Sequence, residues 1–387
     1  MASWKGGAIS TRTGCAAALF FLFFVLIALA GCGSGPHVCP AASSSSTCGC
    51  GAAALCALPP PHLYADGING QISVFPVDRV TGALGTPTSV SGPTNSLGIA
   101  ALNDQFLYVS NFGLGGPASI DAWSIDSSTG TLTPAPSFSL GPLSIAAGLA
   151  IDFNNQILYV ADAGKIDALQ ANATTGTLIA IPQSPFPSGA NLYLTIDPTD
   201  QFLFASVADP PGGVAAFTID SLTGALVQVA GSPFRADPNS TVQPGQIVVD
   251  PSGKFVYVTL VQSSQVAGFS ITTPSGALTP VPGSPFPAGN GPLTLTTSRN
   301  FLYVANLMDE TLSGYTIDSA SGMLTPLANS PFPIPAGAIT SDTFGGFLFV
   351  SGTGGMTSFK VDVTSGALTQ VGSPVPSAGA TALTYVP

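Results

Sequence analysis

Short apolar runs separated by turn residues follow one another from residue 62 to the C-terminus. Each repeat opens on an aromatic-rich strand of the form Phe-Leu-Tyr-Val, and this strand occurs seven times at intervals of 44 to 53 residues. The copies begin at His62, Phe106, Ile157, Phe202, Phe255, Phe301 and Phe347. A second segment with alternating apolar and polar positions follows, as at residues 313–317. This period of two is typical of half-buried strands, so the pattern predicts an all-β repeat protein.

A turn of fixed spacing follows the second strand of each repeat, with the pattern Asp/Asn/Thr-x-x-Thr/Ser-Gly. It occupies residues 78–82, 126–130, 172–176, 220–224, 272–276, 318–322 and 362–366. We expect the first side chain to accept backbone N–H groups and the glycine to supply the positive φ of a bulged hairpin. A cation site at these aspartates is disfavoured, because Thr272 replaces Asp in one copy without loss of the pattern.

A fourth segment, more uniformly apolar, precedes the aromatic strand, as at residues 148–152 and 246–250. It suits a strand buried on both faces. Four strands over roughly 46 residues are the signature of a β-propeller blade. We therefore predict a seven-bladed β-propeller of four-stranded blades over residues 62–387. The first repeat lacks its inner strand and residues 379–386 form an inner strand without a blade, so the C-terminal strand should complete the first blade.

The composition agrees with many short strands and turns. The chain has 45 Gly, 35 Pro, 7% charged residues and a single Glu, Glu310. A disordered chain would be poorer in apolar residues, and a helical bundle would need more Glu, Lys and Arg. The net charge of −11, with only 8 Lys plus Arg, excludes nucleic acid as an expected partner. We expect a monomer.

The N-terminus has the features of an export signal. Lys5 and Arg12 precede an apolar run over residues 16–30, which is short for a membrane span and fits a signal peptide. The run ends in Leu-Ala-Gly-Cys at 29–32, which resembles a bacterial lipobox with Cys32 as the lipidated residue. An ordinary signal peptide with a chance Cys is the less favoured alternative. Gly33 is not Asp, so an outer-membrane address is expected if the organism is Gram-negative.

These features divide the chain into a signal peptide (1–31), a lipidated Cys with a low-complexity tether (32–61) and the propeller (62–387). The tether contains Cys39, Cys48, Cys50 and Cys56, which allow three disulfide pairings. Disulfides or idle thiols are favoured over a metal held by Cys48 and Cys50. We predict no metal site and no cofactor.

Two runs carry a family resemblance: Phe-Leu-Tyr-Val-Ala-Asn at 301–306 and Phe-Leu-Tyr-Val-Ser-Asn at 106–111. With the Thr/Ser-Gly-x-Leu-Thr-Pro turns, they resemble the YVTN-type propellers of the lactonase family, which includes the bacterial 6-phosphogluconolactonases. The resemblance covers about residues 62–387 and rests on motifs of the scaffold. It implies hydrolysis of a sugar lactone by charged and imidazole side chains around the mouth of the central channel.

The residue content departs from that expectation. After His62 the chain has no histidine, and residues 62–387 contain six basic residues spread over five repeats. A base acting near neutral pH is normally His or a carboxylate raised by burial. A phosphorylated substrate needs clustered Arg or Lys. A Gly-x-Ser-x-Gly elbow and a phosphate-binding loop are also absent from the sequence.

Candidate site residues lie in the loops that join second to third strands and outer strands to the next inner strand, because both sets share one face of a propeller. The catalytic candidates are Asp162, Asp309 and Glu310, and the binding candidates are Lys165, Arg235, Asn306 and Asn111. Arg235 replaces the last Pro of a recurrent Ser-Pro-Phe-Pro segment, so it breaks a repeat rule. The alternative for each charge is a solvated loop residue. Aspartates after inner strands, such as Asp197, are expected to cap turns.

Two functions from different classes follow. The first is a lipid-anchored extracytoplasmic propeller, at the periplasm or cell exterior, that binds a carbohydrate, lactone or protein ligand at the channel face. The second is a sugar-lactone hydrolase that uses carboxylates with Arg235 or Lys165. The scarcity of catalytic residue types favours the first.

Overall fold

The predicted ring of seven sheets is confirmed. The computed structural model describes residues 59–67, 69–113, 116–141, 144–189, 191–237, 243–377 and 379–387. The expected features of the signal segment, of Cys32 and of the tether cysteines lie outside these residues. Residues Pro59–Pro387 form one compact unit, in which antiparallel strands form seven separate sheets, the blades.

The strands are numbered in chain order and grouped by blade. Blade 1 contains β1 (His62–Gly67), β2 (Gln71–Pro76) and β3 (Thr88–Ser91), and blade 2 contains β4 (Ile99–Leu102), β5 (Phe106–Asn111), β6 (Ala118–Ile125) and β7 (Leu132–Gly141). Blade 3 contains β8 (Ala146–Asp152), β9 (Ile157–Asp162), β10 (Lys165–Ala171), β11 (Leu178–Ala180) and β12 (Phe186–Pro187). Blade 4 contains β13 (Asn191–Ile196), β14 (Phe202–Val207), β15 (Gly213–Ile219), β16 (Leu226–Gln228) and β17 (Phe234–Arg235).

The remaining blades follow the same order. Blade 5 contains β18 (Pro244–Val249), β19 (Phe255–Leu260), a 3-10 turn (Val261–Ser263), β20 (Gln265–Thr272), β21 (Ala277–Pro280) and β22 (Phe286–Pro287). Blade 6 contains β23 (Pro292–Ser298), β24 (Phe301–Asn306), β25 (Thr311–Ile317) and β26 (Leu324–Pro326). Blade 7 contains β27 (Ile339–Ser341), β28 (Phe347–Gly352), β29 (Gly355–Val361) and β30 (Leu368–Val375), and β31 (Ala380–Val386) is the last strand.

The ring closes as predicted. Strand β31 pairs antiparallel with β1 from His62–Val386 to Gly67–Ala380, which makes β31 the inner strand of blade 1. The end of the ring where second strands end and third strands begin is called the upper end, and the opposite end is called the lower end. Inner strands begin at the upper end, and their hairpins into the second strands lie at the lower end.

The aromatic strand joins each blade to the next. Its tyrosines are buried, and in five blades the hydroxyl donates to the carbonyl of the turn glycine of the following blade, as Tyr159 does to Gly224 at 2.7 Å. That glycine has a φ of +68°, and a Cβ on it would lie 2.0 Å from Ile157 Cδ1. The glycine of the turn motif is therefore required both by its φ and by the close approach of the preceding blade.

The turn aspartates act as the sequence predicts. Asp220 Oδ1 accepts the backbone N–H groups of Leu222 and Thr223, and Asp318 and Asp362 accept the equivalent pairs. The aspartates after inner strands are also caps, since Asp197 Oδ1 accepts the N–H groups of Gln201 and Phe202. No helix among the described residues is long and apolar enough to cross a bilayer.

Three blades carry one short strand more than the predicted four. Strands β12, β17 and β22 pair with the upper part of the third strand of their own blade. They are formed by the Ser-Pro-Phe-Pro segments at 184 and 284 and by the Ser-Pro-Phe-Arg variant at 232, which sequence analysis placed in loops. The serine orders each segment, since Ser184 Oγ accepts the N–H of Ala168 at 2.9 Å. The segment therefore fixes loop geometry, and Phe186 and Phe286 are buried.

Candidate functional site

A charged cluster of Asp162, Lys165 and Asp167 lies at the upper end of blade 3. Lys165 Nζ is 2.6 Å from Asp162 Oδ2 and 3.0 Å from Asp167 Oδ2. The Asp162 side chain is fully buried, and its Oδ1 accepts the N–H of Ile145 at 2.5 Å. The side chain of Lys165 is 32% exposed. The cluster therefore joins a buried carboxylate to a cation that solvent and ligands can reach.

The local backbone brings the three side chains together. Strands β9 and β10 are linked by Ala163 and Gly164, both with positive φ, so the hairpin turns within two residues. Asp162 then pairs with Lys165, and Val160 pairs with Asp167. Residues two apart on a strand point to the same side, so all three side chains lie on one face of the sheet.

The two carboxylates of this cluster titrate differently. Burial by itself would raise the pKa of Asp162, but hydrogen bonds from Lys165 and the Ile145 N–H outweigh it and lower that pKa. Burial, followed by the neighbouring Asp162, raises the pKa of Asp167 to about 6. Asp162 is thus a permanent anion at neutral pH, and Asp167 is the group able to exchange a proton there.

The three candidates of blade 6 build the loop between β24 and β25. Asn306 is buried and donates through Nδ2 to Ser313 Oγ at 2.8 Å and to Thr311 Oγ1 at 3.0 Å. Asp309 Oδ2 accepts the N–H of Asn290 at 2.6 Å. Glu310 has a φ of +51° at the end of this loop and is exposed. These contacts order the loop on the upper face.

The other two candidates lie on different blades. Asn111 ends β5 of blade 2, and its Oδ1 accepts the N–H of Gly113 at 3.2 Å. Arg235 lies on β17 of blade 4, where its Nε donates to the carbonyl of Asp237 at 2.7 Å. The structure therefore brings Asp162 and Lys165 into contact and distributes the remaining predicted site residues over blades 2, 4 and 6.

The central channel is narrow near its upper end, where the inner strands begin. The cavity there has a volume of about 80 Å³. Its polar side chains tie neighbouring strands together: Gln246 Oε1 accepts the N–H of Leu295, and Thr294 Oγ1 donates to the Gly337 carbonyl. Small-molecule sites typically have volumes of about 300–1,000 Å³. A sugar-sized ligand therefore has to bind at a mouth of the channel.

A larger pocket, of about 440 Å³, opens at the lower mouth between blades 5, 6, 7 and 1. It is lined by Pro251, Ser298, Arg299, Asp342, Phe344 and Tyr385, among others. Sequence analysis missed this pocket. The sequence signal for this pocket is the hairpin of blade 6 from Ser298 to Phe301, which is shorter than the equivalent hairpins of blades 2, 3, 4, 5 and 7. Within the described residues, no cluster of three or more His, Cys, Asp or Glu side chains forms a metal-ligand set.

Asp66 is a second group that sequence analysis missed. It is fully buried on β1, and neither carboxylate oxygen has a hydrogen bond of normal geometry from the described residues. The nearby Thr381 hydroxyl, which donates to the Asp66 backbone carbonyl at 3.1 Å, lowers the pKa of the Asp66 carboxyl slightly. Burial dominates and raises the pKa of Asp66 to about 8.

Comparisons with solved structures agree on the fold. A proposed 6-phosphogluconolactonase from Bacteroides uniformis is 17% identical, with a TM-score of 0.72 over 84% of this chain and 99% of that chain. The periplasmic gluconolactonase PpgL of Pseudomonas aeruginosa is 18% identical, with a TM-score of 0.68 over 84% of this chain and 99% of that chain. A protein from Lactobacillus plantarum is 20% identical, with a TM-score of 0.68 over 85% of this chain and 99% of that chain.

These identities establish a shared fold and nothing finer. No protein-family model and no curated protein matches the sequence. The neighbours include lactonase-like propellers, one of them periplasmic, so the predicted resemblance to such propellers holds at the level of architecture.

Proposed function

We propose that this chain is a lipid-anchored, extracytoplasmic β-propeller that binds a neutral carbohydrate on its upper face, at the cluster of Asp162, Lys165 and Asp167. The observation that carries the proposal is the partly exposed Lys165 ammonium held by two carboxylates at the upper end of blade 3. Such a cluster offers both donors and acceptors to the hydroxyl groups of a sugar. The two carboxylates beside Lys165 disfavour an anionic ligand at this cluster.

The binding test compares two lysine variants of the full-length protein on an array of neutral oligosaccharides. Lys165→Met should abolish the binding seen with the wild type, because the exposed donor and the order of both carboxylates are lost together. Lys360→Met is the matched control, since Lys360 is exposed on β29 of blade 7 and should leave binding unchanged. Equal binding by wild type and Lys165→Met would disprove the assignment of the ligand to this cluster.

Anchoring is expected to depend on Cys32, because the Leu-Ala-Gly-Cys run follows a short apolar segment. Cys32→Ala should remove the lipid and release the product from the membrane fraction into the soluble fraction. Mass spectrometry of the N-terminal peptide and cell fractionation measure both effects. Cys39→Ala is the control and should leave fractionation unchanged. Membrane association of Cys32→Ala, with an unlipidated wild type, would contradict the proposal.

Lactone hydrolysis is the second candidate, and it is favoured by the position of Asp167, which is buried 3.0 Å from Lys165 and whose pKa burial raises to about 6. A base acts in its deprotonated form, so the rate on glucono-1,5-lactone should rise with pH through about 6 and then level off. Asp167→Asn should lower the rate about 100-fold or more if this carboxylate is the base. We expect 6-phosphogluconolactone to be a poor substrate, because a clamp of two or more Arg is hard to build from these dispersed basic residues.

The lactone assay separates the two candidates. A rate that equals the uncatalysed background, together with oligosaccharide binding, supports the binding function alone. A robust rate on 6-phosphogluconolactone that is lost in Arg235→Ala would contradict the expected substrate preference. Hydrolysis would then be favoured over carbohydrate binding as the function of the chain.

A further inference from the structure

The lower hairpins form a ring around the channel mouth, and the hairpin of blade 6 breaks this ring. In blade 5 the paired residues Ile247 and Val258 are 11 positions apart, whereas the equivalent pair in blade 6, Leu295 and Val304, is 9 apart. Blades 3, 4 and 7 have the same spacing as blade 5. The missing two residues leave a gap between the turns of blades 5 and 7, and the 440 Å³ pocket fills this gap.

The pocket has defined walls. The turn of blade 7 packs directly on the short hairpin, since Gly345 accepts a hydrogen bond from Ser298 Oγ at 2.9 Å and one from Arg299 Nε at 3.3 Å. A Cβ at Gly345, where φ is +63°, would lie 2.9 Å from both the Arg299 nitrogen and Ser298 Oγ. On the channel side, Tyr385 of β31 lines the pocket, and its ring stacks on Phe349 with centroids 5.7 Å apart.

Arg299 is the positive charge of this pocket. Its Nε hydrogen bond fixes the guanidinium against Gly345, and its terminal nitrogens make no hydrogen bond or ion pair with the described residues. The nearby carboxylate of Asp342 is engaged by its own turn, because Oδ1 accepts the N–H of Phe347 at 2.7 Å. The guanidinium therefore keeps two parallel donors for a ligand, in the geometry that a carboxylate matches.

The remaining walls combine one exposed aromatic ring with hydroxyl groups. Phe344 lines the pocket and is 70% exposed, which is unusual for a large apolar side chain beside a concave surface. Thr340 and Tyr385 also line it, and their hydroxyl groups make no hydrogen bond with other described residues. An apolar surface with a few convergent polar groups is the usual composition of a small-molecule site.

We propose that this lower-mouth pocket binds a cyclic hydroxy acid. The ligand's carboxylate pairs with Arg299, one face of its ring lies on Phe344, and its hydroxyl groups bond to Thr340 and Tyr385. The site is separate from the upper-face cluster in blade 3 and does not depend on the function proposed for that cluster.

The test uses equilibrium dialysis of the full-length protein in mild detergent with three probes. Shikimate has a ring, hydroxyl groups and a carboxylate, cyclohexanecarboxylate lacks the hydroxyl groups, and myo-inositol lacks the carboxylate. We expect saturable binding of shikimate with a Kd on the order of 1 mM or below and binding of the other two weaker by about tenfold or more. Equal affinity for all three probes, or no saturable binding of shikimate, would overturn the proposal.

Variants assign the binding to the pocket. Arg299→Gln and Phe344→Ala should each weaken shikimate binding, the first by about tenfold or more, as expected for loss of a charge-assisted hydrogen bond. The matched controls are Lys254→Gln and Phe153→Ala, which change an exposed cation and an exposed aromatic ring on lower hairpins outside the pocket. Because Arg299 and Phe344 are exposed, thermal melting should be nearly unchanged. Binding that survives both pocket variants, or that falls equally in the controls, would refute the assignment.

Discussion

Deletion of residues 379–387 is expected to destroy the stability of the propeller. Strand β31 supplies the inner edge of blade 1, and without it β1 loses its hydrogen-bonding partner from His62 to Gly67. The same strand contributes Val386, Tyr385 and Leu383 to the packing between blades. Full burial of such a side chain contributes about 1.5–3 kcal/mol, and Val386 is buried while Leu383 and Tyr385 are partly buried. Together with the lost hydrogen bonds between β31 and β1, this loss is a large share of the roughly 5–15 kcal/mol that stabilise a typical domain. We expect aggregation on expression, or a melting temperature lowered by more than about 10 °C.

A shorter deletion provides the control for the loss of β31. Removal of Pro387 alone, an exposed residue after the strand, should leave the melting temperature unchanged. Differential scanning calorimetry of both truncations measures the effect, and size-exclusion chromatography detects aggregation. If the chain that lacks residues 379–387 melts like the full-length protein, the ring does not depend on this closure.

The closure was predictable because the repeats are in register from one end of the chain to the other. Each aromatic strand marks the same position in its blade. The first repeat therefore lacks an inner strand, and residues 379–386 form an inner strand that belongs to no other blade, which predicts that the two pair. The short strands β12, β17 and β22 were not predictable in this way. The recurrent Ser-Pro-Phe segment marks their positions, but two-residue strands have no alternating pattern, and their pairing with the third strand is made by backbone groups.

The candidate site was predictable in part. Asp162 and Lys165 were both named from their place in one loop, and they form an ion pair. Asp167 was missed although it lies two positions beyond Lys165, on the same face of β10. The alternation of side chains along β10 predicts that Lys165 and Asp167 lie on the same face of the sheet. The lower pocket is formed by turns of several blades, so the only sequence feature that indicates it is the short hairpin of blade 6.

Asp66 is the exception at a position that is small and uncharged in the aromatic strand of every other blade. The same position is Ser110, Ala161, Ser206, Thr259, Ala305 and Ser351 in the other blades. These side chains are small and either neutral donors or apolar, and Thr259 Oγ1 donates to the carbonyl of Leu293 on the next inner strand. A carboxylate can donate in this place only when it is protonated, which agrees with the raised pKa of Asp66, about 8.

Replacement of Asp66 by Ser should therefore stabilise the protein above neutral pH. The native state retains the proton up to a pH of about 8, whereas the unfolded chain releases it near 3.8, so native Asp66 binds more protons than unfolded Asp66 between these values. Stability must then fall as the pH rises from about 4 to 8, by up to about 1.4 kcal/mol per unit. Asp66→Ser removes this loss. At pH 8 we expect a gain of at least about 2 kcal/mol and a melting temperature higher by roughly 5 °C, with little difference at pH 4.5.

The decisive measurement for Asp66 is the slope of stability against pH in wild type and variant. Asp220→Ser is the control with the opposite sign, because hydrogen bonds from Thr223 and Leu222 lower the pKa of Asp220. Asp220 stabilises the fold above its unfolded pKa and ceases to do so in acid, so its loss should reduce stability at pH 7 and matter least at low pH. Urea unfolding at pH 4.5, 6, 7 and 8 gives all three profiles. If wild type and Asp66→Ser lose stability in parallel between pH 5 and 8, Asp66 is ionised in the native ring, and the explanation from the repeat position is wrong.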